Sequence, residues 1–199
     1  PHFLKRNPPL LSRMSSIIKA NAMNNHYKTE LLRSFIIDAL PEPLTPASRH
    51  IQIFDNYVPN TNIRLRSIRV PETKEWEHCL QKLEYDAAKP FERMVQEIML
   101  DEAEYAQFQI FEGEEIRKNR YFSEGKDQPY TFDIYLGDLW GLNIATARIE
   151  DPALAEELIV PDFAVFETSG VAEFHGTRLV ASTIDDVRES VANLTRLNA

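Results

Sequence analysis

Basic side chains recur at every second position in two short apolar stretches of this sequence. Arg64 and Arg66 lie in IRLR (63–66), and Lys118 and Arg120 lie in EIRKNRYF (115–122). Successive side chains of a β-strand point to opposite faces, so each pair would project from one face of its strand. Like charges on one strand face repel each other unless an anion lies between them, and phosphate oxygens are common partners of such groups. The spacing therefore indicates an anion-binding surface.

Strand-like segments must position these side chains. The segment 30–37 is followed by LPEPLTP (40–46), whose three prolines predict a linker. Segments 50–58, 62–70 and 77–85 are joined by short polar links, which is typical of an antiparallel meander. A second meander is predicted over 115–122, 130–137 and 142–151, and a further strand over 163–170.

Helix-like patterns separate and close these meanders. Apolar residues in 91–108 recur at helical intervals, but part of this segment fits equally well a strand that runs into a shorter helix from Asp101. Asp151 followed by Pro152 predicts a helix start. Thr183 and Asp186 predict the cap of a closing helix, which has one apolar side.

Strand alternation collects charged residues on one candidate face. That face contains Arg64, Arg66, Lys82, Lys118, Arg120 and Arg148 together with Glu84, Asp133, Glu150 and Glu167. The same pattern is typical of the solvated face of an open antiparallel sheet. Eight or so strands in one small domain, however, usually close into a barrel or pack as two sheets, and a closed barrel has one face inside. Charges on an inner face must be paired or liganded.

Composition limits the classes of function. The chain has 199 residues, 43% of them hydrophobic, and a net charge of -9. The acidic balance argues against nonspecific binding to duplex DNA, and no apolar run is long enough to span a membrane. Cys79 is the only cysteine, so an intramolecular disulfide and a cysteine-based zinc site are excluded, and an intracellular, cytoplasmic setting is expected.

The start of the chain differs from the rest. Residues 1–29 contain five Lys and Arg residues but no Asp or Glu, and we predict a basic N-terminal extension here, followed by one domain over 30–199. An acid-poor segment of this kind fits a flexible tail, an organelle-targeting or anchoring segment, or a binding site for a protein partner. The sequence leaves a homodimer open.

The order of motifs along the chain is more specific. IRLR is followed by a strand that ends in QKLEY, then by IRKNRY, FDIYLGDLWGLNIATARIED, PDFAVFETSG and FHGTRL, over residues 30–181. This order resembles the CYTH family, the triphosphate tunnel metalloenzymes. The resemblance implies an α+β fold, an eight-stranded antiparallel tunnel or β-barrel of CYTH type with flanking helices. It also implies basic residues on the inner wall for a triphosphate and carboxylates there for Mg²⁺ or Mn²⁺.

The resemblance assigns roles to individual positions. The phosphate-binding candidates are Arg64, Arg66, Lys82, Lys118 and Arg120. Metal-binding candidates are Asp133, Glu167 and, if the alignment shifts by two residues, Glu150; Glu167 is also the catalytic candidate.

Four positions depart from the family pattern. Leu32 and Ser34 stand where a second Glu and a Lys belong, and Thr146 and Arg148 stand at the positions of a Glu-x-Glu pair. An arginine in place of a carboxylate repels a divalent cation.

Three functions remain open at this stage. The first is a tunnel that binds a triphosphate, a nucleotide or another polyanion with weak or absent turnover. The second is a Mg²⁺- or Mn²⁺-dependent triphosphatase that acts on inorganic triphosphate, thiamine triphosphate or a nucleoside triphosphate. The third is a non-catalytic structural or adaptor subunit of a larger complex, in which pairs of arginine and carboxylate side chains plug the tunnel.

Overall fold

The computed structural model describes residues 27–111, 113–123 and 128–197 of the protein. Its strands are β1 (Lys28–Ile37), β2 (His50–Tyr57), β3 (Ile63–Arg69), β4 (Trp76–Tyr85), β5 (Glu92–Leu100), β6 (Glu114–Phe122), β7 (Tyr130–Tyr135), β8 (Asn143–Ile149) and β9 (Ala164–Glu167). Its helices are α1 (Glu102–Phe108), α2 (Pro152–Glu157), α3 (Gly176–Leu179) and α4 (Ile184–Leu197).

Eight of these strands form a closed antiparallel barrel. Hydrogen bonding follows the order β5-β4-β3-β2-β6-β7-β8-β1, and β1 pairs back onto β5, with Lys28 opposite Val95 and Leu31 opposite Glu92. Beyond this pairing, β9 lies along the far end of β1. The predicted α+β fold, an eight-stranded antiparallel barrel with flanking helices, is confirmed.

Local signals in the sequence set several element boundaries. Segment 91–108 divides into strand β5 and helix α1, and the Asp101 carboxylate caps α1 by accepting a hydrogen bond from the Glu104 backbone N–H. The Asp151 side chain accepts from the Ala153 backbone N–H at the start of α2. Thr183 and Asp186 exchange hydrogen bonds at the start of α4. The strand-then-helix alternative and both predicted helix starts are confirmed.

Two apolar clusters hold the barrel together. In one, side chains from the strands meet Leu179 of α3 and Val187 of α4; it includes Tyr57, Leu83, Val95, Ile116, Tyr135 and Ile144. Gly176 allows this close approach, since a Cβ there would lie 1.7 Å from the Tyr57 hydroxyl. In the other cluster, Leu40 and Leu44 of the proline-rich linker pack against Tyr121 and Phe132.

The described part of the chain includes the last residues of the predicted N-terminal extension. Strand β1 begins at Lys28, while residues 1–26 lie outside the described residues. Within that described part, no helix is both long and apolar enough to cross a membrane.

Candidate functional site

A cavity of about 890 Å³ occupies the barrel interior beside the apolar cluster. Among the described residues that line it, six are basic, and they are Arg64, Arg66, Arg93, Lys118, Arg120 and Arg148. Three are acidic, and they are Asp55, Glu92 and Asp133. Both alternating basic pairs from β3 and β6 therefore face the same cavity, whose lining carries an excess of positive charge.

The β3 pair is held by a carboxylate from the neighbouring strand. Asp55 of β2 stands opposite Arg66 in the strand pairing and is 1% exposed. It accepts hydrogen bonds from Arg66 Nε and Nη2 at 2.5 and 2.6 Å and from Arg64 Nη1 at 3.2 Å. Burial raises the pKa of Asp55, but Arg64 and Arg66 lower it further, so the pKa lies well below its ordinary value.

The β6 pair is arranged in the same way around Asp133 of β7. Arg120 donates from Nε and Nη2 to the two Asp133 oxygens, both at 2.6 Å, and Lys118 Nζ lies 2.8 Å from Asp133 Oδ2. Burial lowers the pKa of Lys118 to about 8, although Asp133 opposes this shift. Burial raises the pKa of Asp133, but Arg120 and Lys118 bring it well below its ordinary value.

A third cluster lies where the barrel closes. Glu30 of β1 accepts hydrogen bonds from Arg93 of β5, through Nε at 3.2 Å and Nη2 at 2.5 Å, and from Arg148 Nη2 of β8 at 2.6 Å. Burial raises the pKa of Glu30, but the two arginines lower it to about 2. One carboxylate thus joins three adjacent strands.

The three clusters share one composition. Each has a single carboxylate between two cations and therefore a net formal charge of one positive unit. A guanidinium has five N–H donors, and Arg66 and Arg120 each use two of them on a carboxylate. Donors and charge remain for an anionic ligand in the cavity.

Lys82 does not belong to this set. Its side chain is 46% exposed and pairs with Glu84 at 2.8 Å on the outside of the barrel. Strand alternation instead turns Gln81 inward, where its amide oxygen accepts from Arg64 Nε at 2.7 Å. The prediction that Lys82 and Glu84 share the inner charged face is therefore wrong, because the face of β4 was assigned one residue out of register.

Glu167 is engaged away from the cavity. Both of its oxygens accept from Arg33, at 2.8 and 2.7 Å, and the Arg33 Nη1 group also donates to the backbone carbonyls of Ala155 and Leu158. Burial raises the pKa of Glu167, but Arg33 brings it below its ordinary value. Glu167 does not line the cavity, and Glu150 is exposed.

The carboxylates predicted to bind a metal are therefore not brought together. Asp133 lies inside with Lys118 and Arg120, whereas Glu150 and Glu167 lie elsewhere. Within residues 27–111, 113–123 and 128–197, no group of three or more His, Cys, Asp and Glu side chains could hold a metal ion. A divalent ion about 4 Å from one guanidinium would be repelled by about 8 kcal/mol at an effective dielectric constant near 20. These residues do not fit the Mg²⁺ or Mn²⁺ centre that the family resemblance implies.

The four positions expected from the sequence to depart from the family pattern do line the cavity. Ser34 and Thr146 face each other across β1 and β8, with their hydroxyl oxygens 3.1 Å apart, while Leu32 and Arg148 are paired in the strand register.

Asp55, Arg93 and Arg33 were not predicted. In HIQIFDNYV (50–58) alternation places Asp55 with Ile51, Ile53 and Tyr57, and a single acid on an apolar strand face signals a buried, paired carboxylate. The same signal was present for Arg33, which shares its strand face with buried Phe35. Arg93 was missed because its segment, 91–108, fits a helix as well as a strand, so the face on which Arg93 lies could not be assigned.

No protein-family model matches this sequence, and no curated protein matches it. Solved structures match its fold. One described as the hypothetical protein NE1496 aligns over 77% of this chain and 99% of its own, with a TM-score of 0.54 and 18% identity. One described as the inorganic triphosphatase NE1496 aligns over 79% and 97%, with a TM-score of 0.54 and 20% identity. This chain shares the NE1496 fold.

Proposed function

We propose that the barrel cavity binds a triphosphate, a nucleotide or another polyanion, with weak or absent turnover. The observation that carries this proposal is the triple arrangement of one carboxylate between two cations around a single cavity of about 890 Å³. Charge-assisted hydrogen bonds from guanidinium groups are the usual means of holding phosphate oxygens. The description of NE1496 as an inorganic triphosphatase supports a triphosphate among the candidate ligands.

Isothermal titration with tripolyphosphate, and separately with ATP, tests this proposal. Arg120→Gln removes one cation from the cavity, while Arg117→Gln removes the same charge from the outer side of the same strand, where Arg117 is 56% exposed. We expect Arg120→Gln to weaken binding by about ten- to a hundredfold, which is the effect of losing one charge-assisted hydrogen bond. Arg117→Gln should change the affinity by less than about twofold. Equal effects of the two changes, or no binding to the wild type, would refute the proposal.

Triphosphate hydrolysis is the second candidate function, and the description of NE1496 favours it. It requires a divalent ion beside the phosphates, which in this chain would have to approach side chains already paired with arginine and lysine. Phosphate release from tripolyphosphate, thiamine triphosphate and ATP should be measured with Mg²⁺ and with Mn²⁺. Release that depends on the metal and is lost in Arg120→Gln but kept in Arg117→Gln would establish hydrolysis in place of binding alone.

A structural or adaptor role is less well supported. The paired charges match its requirement for internal ion pairs, but a cavity of about 890 Å³ leaves the interior open to a ligand. A protein partner at the N-terminal extension and a homodimer remain predictions. The intracellular, cytoplasmic setting is also a proposal, supported by the presence of a single cysteine, Cys79, in the sequence.

A further inference from the structure

We propose that Arg93 and Arg148, held by Glu30, take the place of divalent cations in neutralising the bound polyanion, so that binding requires no metal ion. This inference rests on the proposed function, because it concerns the same cavity. It assigns an anion-binding role to a cluster outside the two alternating basic pairs.

The position of the Glu30 cluster supports this role. Glu30 and Arg93 are direct partners in the pairing of β1 with β5, and Arg148 stands opposite Leu32 in the pairing of β1 with β8. Arg93 and Arg148 both line the cavity that also contains Arg66 and Lys118. Cations therefore approach the cavity from the closing side of the barrel as well as from β3 and β6.

The hydrogen bonds of the Glu30 carboxylate favour an anionic ligand over a metal ion. A metal ion at Glu30 would have to compete with Arg93 and Arg148, which already donate three hydrogen bonds to its two oxygens, and its charge would repel both arginines until they withdrew. The Glu30 side chain is only 10% exposed, so both arginines would lose a largely buried partner. An anion, in contrast, can bind without breaking any of these ion pairs.

The exposure of Arg148 distinguishes this role from that of a simple link between strands. Arg148 reaches Glu30 through Nη2, half of its side chain is exposed, and the residue lines the cavity. An arginine that served only to close the barrel would have no need of a solvent-accessible position beside five other cations. Its remaining N–H donors suit phosphate oxygens.

Titration with tripolyphosphate in EDTA, and again with excess free Mg²⁺, tests the inference. We expect tripolyphosphate to bind in EDTA. Binding should be weaker with Mg²⁺, because the metal ion binds tripolyphosphate in solution and neutralises part of its negative charge. Binding only in the presence of Mg²⁺ would overturn this inference and leave the proposed function standing. Failure to bind under both conditions would overturn the proposed function itself.

Glu30→Gln distinguishes a counter-ion role of Glu30 from a metal-ligand role, because the two roles predict opposite changes in tripolyphosphate affinity. If Glu30 only balances two arginines, its neutralisation adds one positive charge, and tripolyphosphate in EDTA should bind at least about threefold more tightly. If Glu30 is a metal ligand, the same change should weaken binding in Mg²⁺. Unchanged or weaker binding in EDTA, in a variant that keeps the wild-type circular dichroism spectrum, would overturn the inference.

Arg148→Gln provides the second variant, which keeps the test decisive even if Glu30→Gln does not fold. It leaves Glu30 paired with Arg93, and we expect tripolyphosphate binding in EDTA to weaken by about ten- to a hundredfold. Arg117→Gln, on the outside of β6 with a similarly exposed side chain, is the matched control. A loss no larger than that of the control would show that the Glu30 cluster does not contact the anion.

Discussion

Replacement of Asp55 by asparagine should destabilise the protein strongly. Asp55 is almost fully buried and is the shared partner of Arg64 and Arg66, which are buried as well. Asparagine has nearly the same shape but no charge, so the change isolates the electrostatic contribution. Two guanidinium groups would then remain inside the barrel without their counter-ion.

The size of the effect follows from that burial. Removing one partner of a buried ion pair typically costs about 3 to 5 kcal/mol, because the remaining charge stays desolvated and uncompensated. For a domain of this size each kcal/mol lowers the melting temperature by about 2 to 4 °C, so we expect a decrease of roughly 6 to 20 °C. A saturating anion should restore part of this loss, since about 2.7 kcal/mol is gained at a ligand concentration of about 100 times Kd.

Urea unfolding followed by circular dichroism, with and without tripolyphosphate, measures these quantities. Asp185→Asn is the matched control, because Asp185 forms an ion pair with Arg188 on α4 but is 84% exposed. We expect this control to change the free energy of unfolding by less than about 0.5 kcal/mol. A loss below about 1 kcal/mol for Asp55→Asn would refute the view that Asp55 is the counter-ion of two buried cations.

Three further predictions follow from the same structure. Gly176→Ala should lower the free energy of unfolding by about 1 to 3 kcal/mol in urea, because its Cβ would overlap the Tyr57 hydroxyl; an unchanged midpoint would contradict this packing. The folded pKa of Glu30, about 2, lies below its ordinary value of 4.5, so its stabilising contribution is present above about pH 4.5 and lost as the pH falls towards 2. The stability difference between wild type and Glu30→Gln at pH 7 should therefore shrink at pH 3, and a constant difference would argue against the ion pair. Lys118, with a pKa of about 8, should lose its charge between pH 7 and pH 9, so that tripolyphosphate affinity measured by titration falls more in wild type than in Lys118→Arg; equal falls would contradict this assignment.

The sequence was sufficient to predict the barrel and the inward direction of its best basic pairs. Arg64 and Arg66 alternate with apolar residues in IRLR, so the charged face of that strand could be read without knowledge of its neighbours. In EIRKNRYF the apolar residues Ile116 and Phe122 stand two positions before Lys118 and two after Arg120, which places all four on one face. Prediction failed for Lys82 because EHCLQKLEY (77–85) has polar residues on both faces, and a shift of one residue exchanges the faces.

The partner of each charge could not be predicted in the same way. Glu167 was singled out by its resemblance to a family motif, but its partner Arg33 is 134 positions away along the chain, and only the pairing of β9 with β1 brings them together. The Glu30 cluster likewise depends on how β1 closes the barrel between β5 and β8. Spacing within a strand determines which residues share a face, whereas closure of the sheet determines which charges meet.

The two-to-one ratio of cations to carboxylates connects the stability of the barrel with its proposed function. Without Asp55, Asp133 and Glu30, the six cations around the cavity would repel one another in a poorly solvated space. With a carboxylate for every cation, no net attraction for an anion would remain. When each cluster has one carboxylate for two cations, the carboxylate compensates half of the positive charge, and about one positive unit remains in each cluster. A polyanion can complete the compensation of all three clusters at once, so its binding should both stabilise the fold and depend on every cluster.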